Sequence, residues 1–129
     1  MRLRNNSMAW LLAAALVLCG CGSGRAADGD PPYDAALVRL AEILGALHYL
    51  RPLCGTGETT LWRDRMDALI AAEAPQPERR AALVAAFNRS YSSFAMLYRS
   101  CTPAAATAIE RYVEDGAKLS RDITTRYGR

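Results

Sequence analysis

The sequence predicts an all-α protein: a small antiparallel four-helix bundle with one disulfide, following an N-terminal signal segment. Three observations carry that expectation. Behind residue 32 the chain is dominated by Ala, Leu and Arg and lacks the apolar–polar alternation of a strand. In that part apolar residues recur at three- and four-residue steps in four stretches, separated by turns rich in Pro or Gly. Cys54 and Cys101 fall at the ends of the first and third stretches, which point the same way in an up-down-up-down bundle, so both cysteines reach one end.

At 129 residues the chain holds one domain at most, because domains commonly run to about 100–150 residues. The opening segment reads as an export signal. Arg2 and Arg4 precede Met8 to Leu18, an apolar run of eleven residues, too short to cross about 30 Å of hydrocarbon as a helix. Its end has two readings. Gly24-Arg25-Ala26 suits a leader peptidase and releases a soluble protein beginning near Ala27, with residues 1–26 discarded. Leu18-Cys19-Gly20-Cys21 instead resembles a bacterial lipobox, in which Cys21 becomes a lipidated N-terminus and tethers the protein to a membrane. Residues 22–32 (GSGRAADGDPP) form a flexible linker, and residues 33–129 form the helical domain. That domain contains no internal transmembrane run.

Processing also alters the charge. The whole chain carries +3, but without Arg2, Arg4 and Arg25 its 16 Lys and Arg fall to 13, matching the 13 Asp and Glu. A neutral domain is a poor nucleic-acid binder, since that affinity comes from basic clusters that neutralise phosphates.

The first helix is expected from Asp34 to Arg51, with Leu37, Leu40, Leu44 and Leu47 on its buried face and Pro52 stopping it. Gly45 inside it costs about 1 kcal/mol relative to Ala, which points to a neighbouring helix coming close beside Ala41. The second helix follows the turn Cys54-Gly55-Thr56-Gly57 and runs from Glu58 to Ala74, burying Trp62, Met66 and Leu69. The third starts at Pro77, a favoured first-turn residue, and continues to Ser100 along the stripe Leu83, Phe87, Tyr91, Phe94, Tyr98 and Cys101. Thr102-Pro103 announces the fourth, with Ile109, Tyr112, Val113, Gly116, Leu119, Ile123 and Tyr127 along it to about Arg126. In an oxidising compartment Cys54 and Cys101 are expected to pair. The bond is worth on the order of 4 kcal/mol in the chain-entropy model, a large share of the stability of so small a core.

The segments LAEILGALHYLRPLCG, WRDRM, FNRSY, YRSCT and LSRDITTRYG together resemble an uncharacterised family of small exported helical proteins from alphaproteobacteria, a domain of unknown function. The resemblance covers Pro32 to Gly128. It implies a Gram-negative cell envelope and again the Cys54–Cys101 pair, and it brings no activity, ligand or catalytic residue. Family members carry an ordinary cleaved signal, from which Gly20-Cys21 departs.

Two polar residues turn inward near the end of the first helix: on a helical wheel Arg51 falls within the leucine arc and His48 at its edge. One reading is that they cap the helix, since His and Arg near a C-terminus bond free carbonyls and suit the dipole. The other is that His48 and Arg51, with Trp62 and Tyr98, line a small anion or peptide pocket beside the disulfide, facing the N-terminus of the fourth helix. The aromatic stripe Phe87, Tyr91, Phe94, Tyr98 reads as core packing. One His and two paired Cys leave no three-ligand metal set, and no cofactor motif such as C-x-x-C-H appears. Asp64, Asp67, Glu110, Glu114 and Asp115 read as solvated charge, and no catalytic constellation emerges. The expected function is thus a non-enzymatic periplasmic protein, soluble or lipid-anchored, that serves as an interaction or accessory module for an envelope partner. The alternative is a small-ligand or anion binder at the disulfide end.

Overall fold

The computed structural model describes residues 29–128. The expectations for the signal, for Cys21 and for most of the linker lie outside the described residues. Those residues form four helices and no strand: α1 (Asp34–Leu53), α2 (Leu61–Glu73), α3 (Pro77–Leu97) and α4 (Pro103–Tyr127).

The helices alternate in direction. Arg79 in the first turn of α3 pairs with Asp34 at the start of α1 and with Glu73 at the end of α2. At the opposite end Cys54, just past α1, is bonded to Cys101, just before α4, with a Cα–Cα distance of 4.9 Å. α4 then returns, and the Tyr127 ring reaches Tyr33 beside the start of α1 at 5.1 Å.

The arrangement nevertheless departs from a four-cornered bundle. α2, α3 and α4 each pack on α1, most extensively α3, and their backbones scarcely meet one another. The cause lies in α1. Leu37, Ala41, Ile43, Leu44, Ala46, Leu47 and Leu50 are all buried, and the run from Ile43 to Leu47 is unbroken. A helix apolar around its circumference belongs at the centre of a core. Of the five largest fully covered side chains, Leu37, Ile43, Leu47 and Leu50 come from α1 and only Leu83 from outside it; each is worth about 1.5–3 kcal/mol of burial. The expected stripe through Leu40 is therefore one strip of a wider apolar surface, and Leu40 itself is only half-buried. The outer helices bury narrower lines: Trp62 and Met66 in α2, Leu83, Ala86 and Phe87 in α3, Ala105, Ile109 and Gly116 in α4.

α3 comes closest to the axis at Gly45, where a Cβ would lie 2.1 Å from the Phe87 carbonyl oxygen. No side chain fits that contact unless the backbone of α3 moves.

Three boundaries differ from expectation, each for a local reason. Pro52 lies inside α1, not beyond it. Placed in the last turn, it forfeits a single amide bond, and the helix closes around it through Cys54 N to the Leu50 carbonyl, Gly55 N to Pro52 and Thr56 N to Arg51. The connection then turns through Gly55 (φ 79°) and Gly57 (φ 71°), left-handed positions that glycine adopts freely. α2 begins at Leu61, not Glu58, because the Glu58 carboxylate is drawn back to the end of α1. α3 ends at Leu97: Tyr98 is extended, and the following residues carry Cys101 across to Cys54 and Thr102 into its cap, where its hydroxyl accepts from Ala105 N at 3.1 Å.

Candidate functional site

Because α2 and α3 lean on α1 without closing on each other, a cleft of about 390 Å³ opens between them. α1 supplies its floor through His48. On α2, Arg63, Met66, Asp67 and Ile70 follow one another at helical spacing along the flank facing α3, and Met66 is buried at their centre. On α3, Arg80, Val84, Phe87 and Tyr91 repeat every three to four residues, with Asn88 beside them. Apolar Met66, Ile70, Val84 and Phe87 thus make the inner wall, and Arg63, Asp67, Arg80, Asn88 and Tyr91 stand exposed around the mouth.

The His48 ring lies 5.6 Å from the Phe87 ring and 5.3 Å from that of Tyr91, tilted against both. Its Nδ1 is buried and has no hydrogen-bond partner. A buried N–H without an acceptor is costlier than a bare lone pair, so the proton belongs on Nε2. Burial lowers the pKa of His48, the Arg63 charge lowers it further, and Asp64 opposes both. The imidazole is thus a neutral donor at the cleft floor. Among the described residues neither Arg63 nor Arg80 has a carboxylate within ion-pair distance.

The disulfide end is built differently. Arg51 Nε and Nη2 each donate to Glu58 at 2.6 Å in a bidentate pair, and Trp62 Nε1 donates to the same carboxylate at 3.0 Å. The hydrogen bond from Arg51 holds the Glu58 carboxyl below its ordinary value, and the reciprocal bond raises the guanidinium. The Arg51 carbonyl is capped by Thr56, through its amide at 3.3 Å and its hydroxyl at 2.8 Å. Tyr98 lies elsewhere: its carbonyl accepts from the Tyr49 hydroxyl, and its ring stacks near that of Phe94 at 6.2 Å.

The four residues expected to share a pocket are therefore divided. Arg51 and Trp62 meet through Glu58, His48 faces the α2–α3 cleft, and Tyr98 joins the α3 end. Arg51 does not bond carbonyls with its side chain, as a simple cap would; Glu58 occupies it. Sequence reasoning passed over Glu58, Arg63, Arg80 and Asn88. Arg80 carried a signal, since no acidic residue stands three or four positions from it on its helix. Arg63 concealed itself behind Asp67, four residues on, with which it makes no ion pair.

Among the described residues no three His, Cys, Asp or Glu gather as a metal would require. Cys54 is held in the disulfide with Cys101 and presents no thiolate beside His48. No described helix is long and apolar enough to cross a membrane.

A family model described as Protein of unknown function (DUF2385) matches residues 32–127. The chain belongs to this family. The family's span takes in all four helices, both bonded cysteines and the whole cleft, and it begins after Cys21. No curated protein and no solved structure matches the chain.

Proposed function

We propose that the protein is exported to the envelope of a Gram-negative bacterium, where it acts by binding rather than catalysis, and that the α2–α3 cleft is its binding site. The observation that carries this reading is the cleft itself: an apolar wall around a neutral histidine donor, with two arginines free of ion pairs at its mouth. Its volume suits a small organic molecule. Export is supported by the leader-like residues 1–26 and by the Cys54–Cys101 bond, since such bonds persist in oxidising compartments.

The test is a fragment screen by amide NMR on the mature protein and on Val84→Trp, which fills the cleft from α3. Fragments are expected to shift resonances of α2 and α3 around His48 and to lose that effect in the variant. Shifts confined to other faces, or unaffected by Val84→Trp, defeat the assignment. Mass spectrometry of the mature N-terminus separates a start near Ala27 from a lipid on Cys21.

A second reading, docking to an envelope protein, draws support from Met96 and Leu97, which are 82% and 67% exposed near the disulfide. If it holds, Met96→Lys with Leu97→Lys abolishes a crosslink to that partner in cells while leaving fragment binding intact.

A further inference from the structure

We infer that the ligand of the α2–α3 cleft is a small organic monoanion, a carboxylate on an apolar body, with its charged end at Arg63 and Arg80 and its body against the Met66, Val84 and Phe87 wall. The inference rests on the binding role proposed for this cleft and adds the chemical class of what enters. Three features of the lining select that class.

The first is charge. The lining holds two guanidinium groups and one carboxylate, Asp67, while His48 stays neutral, so the lining itself carries one positive charge in excess, with the exposed Asp64 outside it though near enough to act on His48. An excess of one suits a monoanion, whereas a polyanion would bring charge that nothing in the cleft offsets. The guanidinium fork matches a carboxylate in bidentate fashion and gives up its hydration more readily than an ammonium. Arg39, Arg51 and Arg79 are held by carboxylates, whereas among the described residues Arg63 and Arg80 belong to the arginines without an ion pair and are the two of these that line the cleft.

The second is the donor at the floor. With Nδ1 buried and unpartnered, His48 can offer only Nε2–H to the cleft and cannot accept a second proton without burying an unpaired N–H. It donates to an acceptor oxygen and repels no cation of its own making. Asn88 adds an amide at the same mouth.

The third is the wall. Met66 and Phe87 are buried beneath the opening, and Ile70 and Val84 flank them half-covered. An inorganic anion would leave the exposed edges of Ile70 and Val84 wet, whereas an alkyl or aryl body covers them.

The experiment titrates the mature protein with 3-phenylpropanoate and with straight-chain monocarboxylates from butanoate to dodecanoate, alongside the matched amides and inorganic phosphate. Backbone amide shifts and the imidazole ¹⁵N resonances of His48 are followed. At least one carboxylate is expected to saturate, to move the Nε2 signal of an Nε2-protonated tautomer, and to bind about tenfold more tightly than its amide, the worth of one charge-assisted hydrogen bond. Arg63→Met with Arg80→Met, both at exposed positions, should abolish that preference and leave the fold intact. If amides bind as well as acids and both are lost in Val84→Trp, the cleft is a binding site and the anion assignment is wrong. If phosphate binds as tightly as the carboxylates, the apolar body has no part and the inference fails. If no carboxylate binds, or shifts appear only outside the cleft, it also fails.

Discussion

The two ends of the α1 axis are secured by different chemistry. At one end a covalent bond joins Cys54 to Cys101, and Arg51, Glu58 and Trp62 clamp the connection beneath it. At the other end Arg79 alone gathers three helices, bonding Asp34 of α1 at 2.5 Å and Glu73 of α2 at 2.8 Å, with Tyr33 against Tyr127 as the apolar complement. The covalent end ties the α3–α4 connection to the α1–α2 connection, the longest of the three, and opposes chain entropy whatever the salt. The ionic end holds a short α2–α3 turn that needs less restraint, and its attraction weakens as ions screen it. A fold whose outer helices pack mainly on the central one needs both, because α2, α3 and α4 meet one another through little more than the Arg79–Glu73 pair and the Phe94–Tyr112 ring contact.

The sharpest way to break this contrast is to remove the covalent end. Cys54→Ser with Cys101→Ser should lower unfolding free energy by on the order of 4 kcal/mol in urea titrations, with the loss unchanged by salt. A loss below about 1 kcal/mol would mean that helix packing on α1 already holds that end. The next substitution touches neither end. Gly45→Ala forces α3 away from α1 at Phe87 and should cost about 3 kcal/mol by calorimetry or urea; a near-neutral result would show that α3 slides freely and that the ends alone set its position. Arg79→Met comes third. Stripping the cation from two largely covered carboxylates should cost about 2 kcal/mol, and the cost should shrink as salt rises, unlike that of the cysteine pair.

Smaller effects sharpen the comparison within each end. Glu58 has its folded pKa below the ordinary 4.5, chiefly through the bond from Arg51. The stability it contributes is therefore full above about pH 4.5 and is lost as pH falls through the lower, folded value. Glu58→Gln should be milder than Arg79→Met and should flatten the acid limb of a stability–pH curve; an unchanged limb would assign that limb to other carboxylates. The smallest effect has the opposite sign. Ala74 closes α2 in the left-handed region at φ 41°, so Ala74→Gly should add about 0.5–1 kcal/mol at the ionic end. A destabilised variant would show that the Ala74 methyl makes contacts that outweigh its strain.

Much of this fold was legible in the sequence because its signals are local. Pro77 and Pro103 sit in first turns, Thr102 caps α4 with its hydroxyl, and Gly55 with Gly57 turns the chain out of α1. Gly45 announced a close approach, and α3 is what approaches. The errors fell where a distant partner overrode a local preference. Glu58 favours a helix N-terminus by charge, yet it serves Arg51 from the preceding connection. Cys101 fits the apolar period of α3, yet it leaves the helix to reach Cys54. Tyr98 shares the stripe of Phe87 and Tyr91, but the helix stops one residue before it and turns it toward Tyr49. Of the candidate site, His48 was legible as an inward polar residue, while its neighbours Arg63 and Arg80 read as ordinary surface charge.

The sequence by itself determined four helices, their alternating directions and the bond that unites two of their ends, since periodicity, capping and cysteine placement act through near neighbours or a single covalent partner. Only the tertiary structure decided that α1 is an axis and not a corner, because apolar residues on several faces of a helix do not reveal how many neighbours will cover them. The same decision created the site. Helices that lean on a common axis without meeting leave space between them, and that space, not any motif, brings His48 to the floor beneath Arg63 and Arg80.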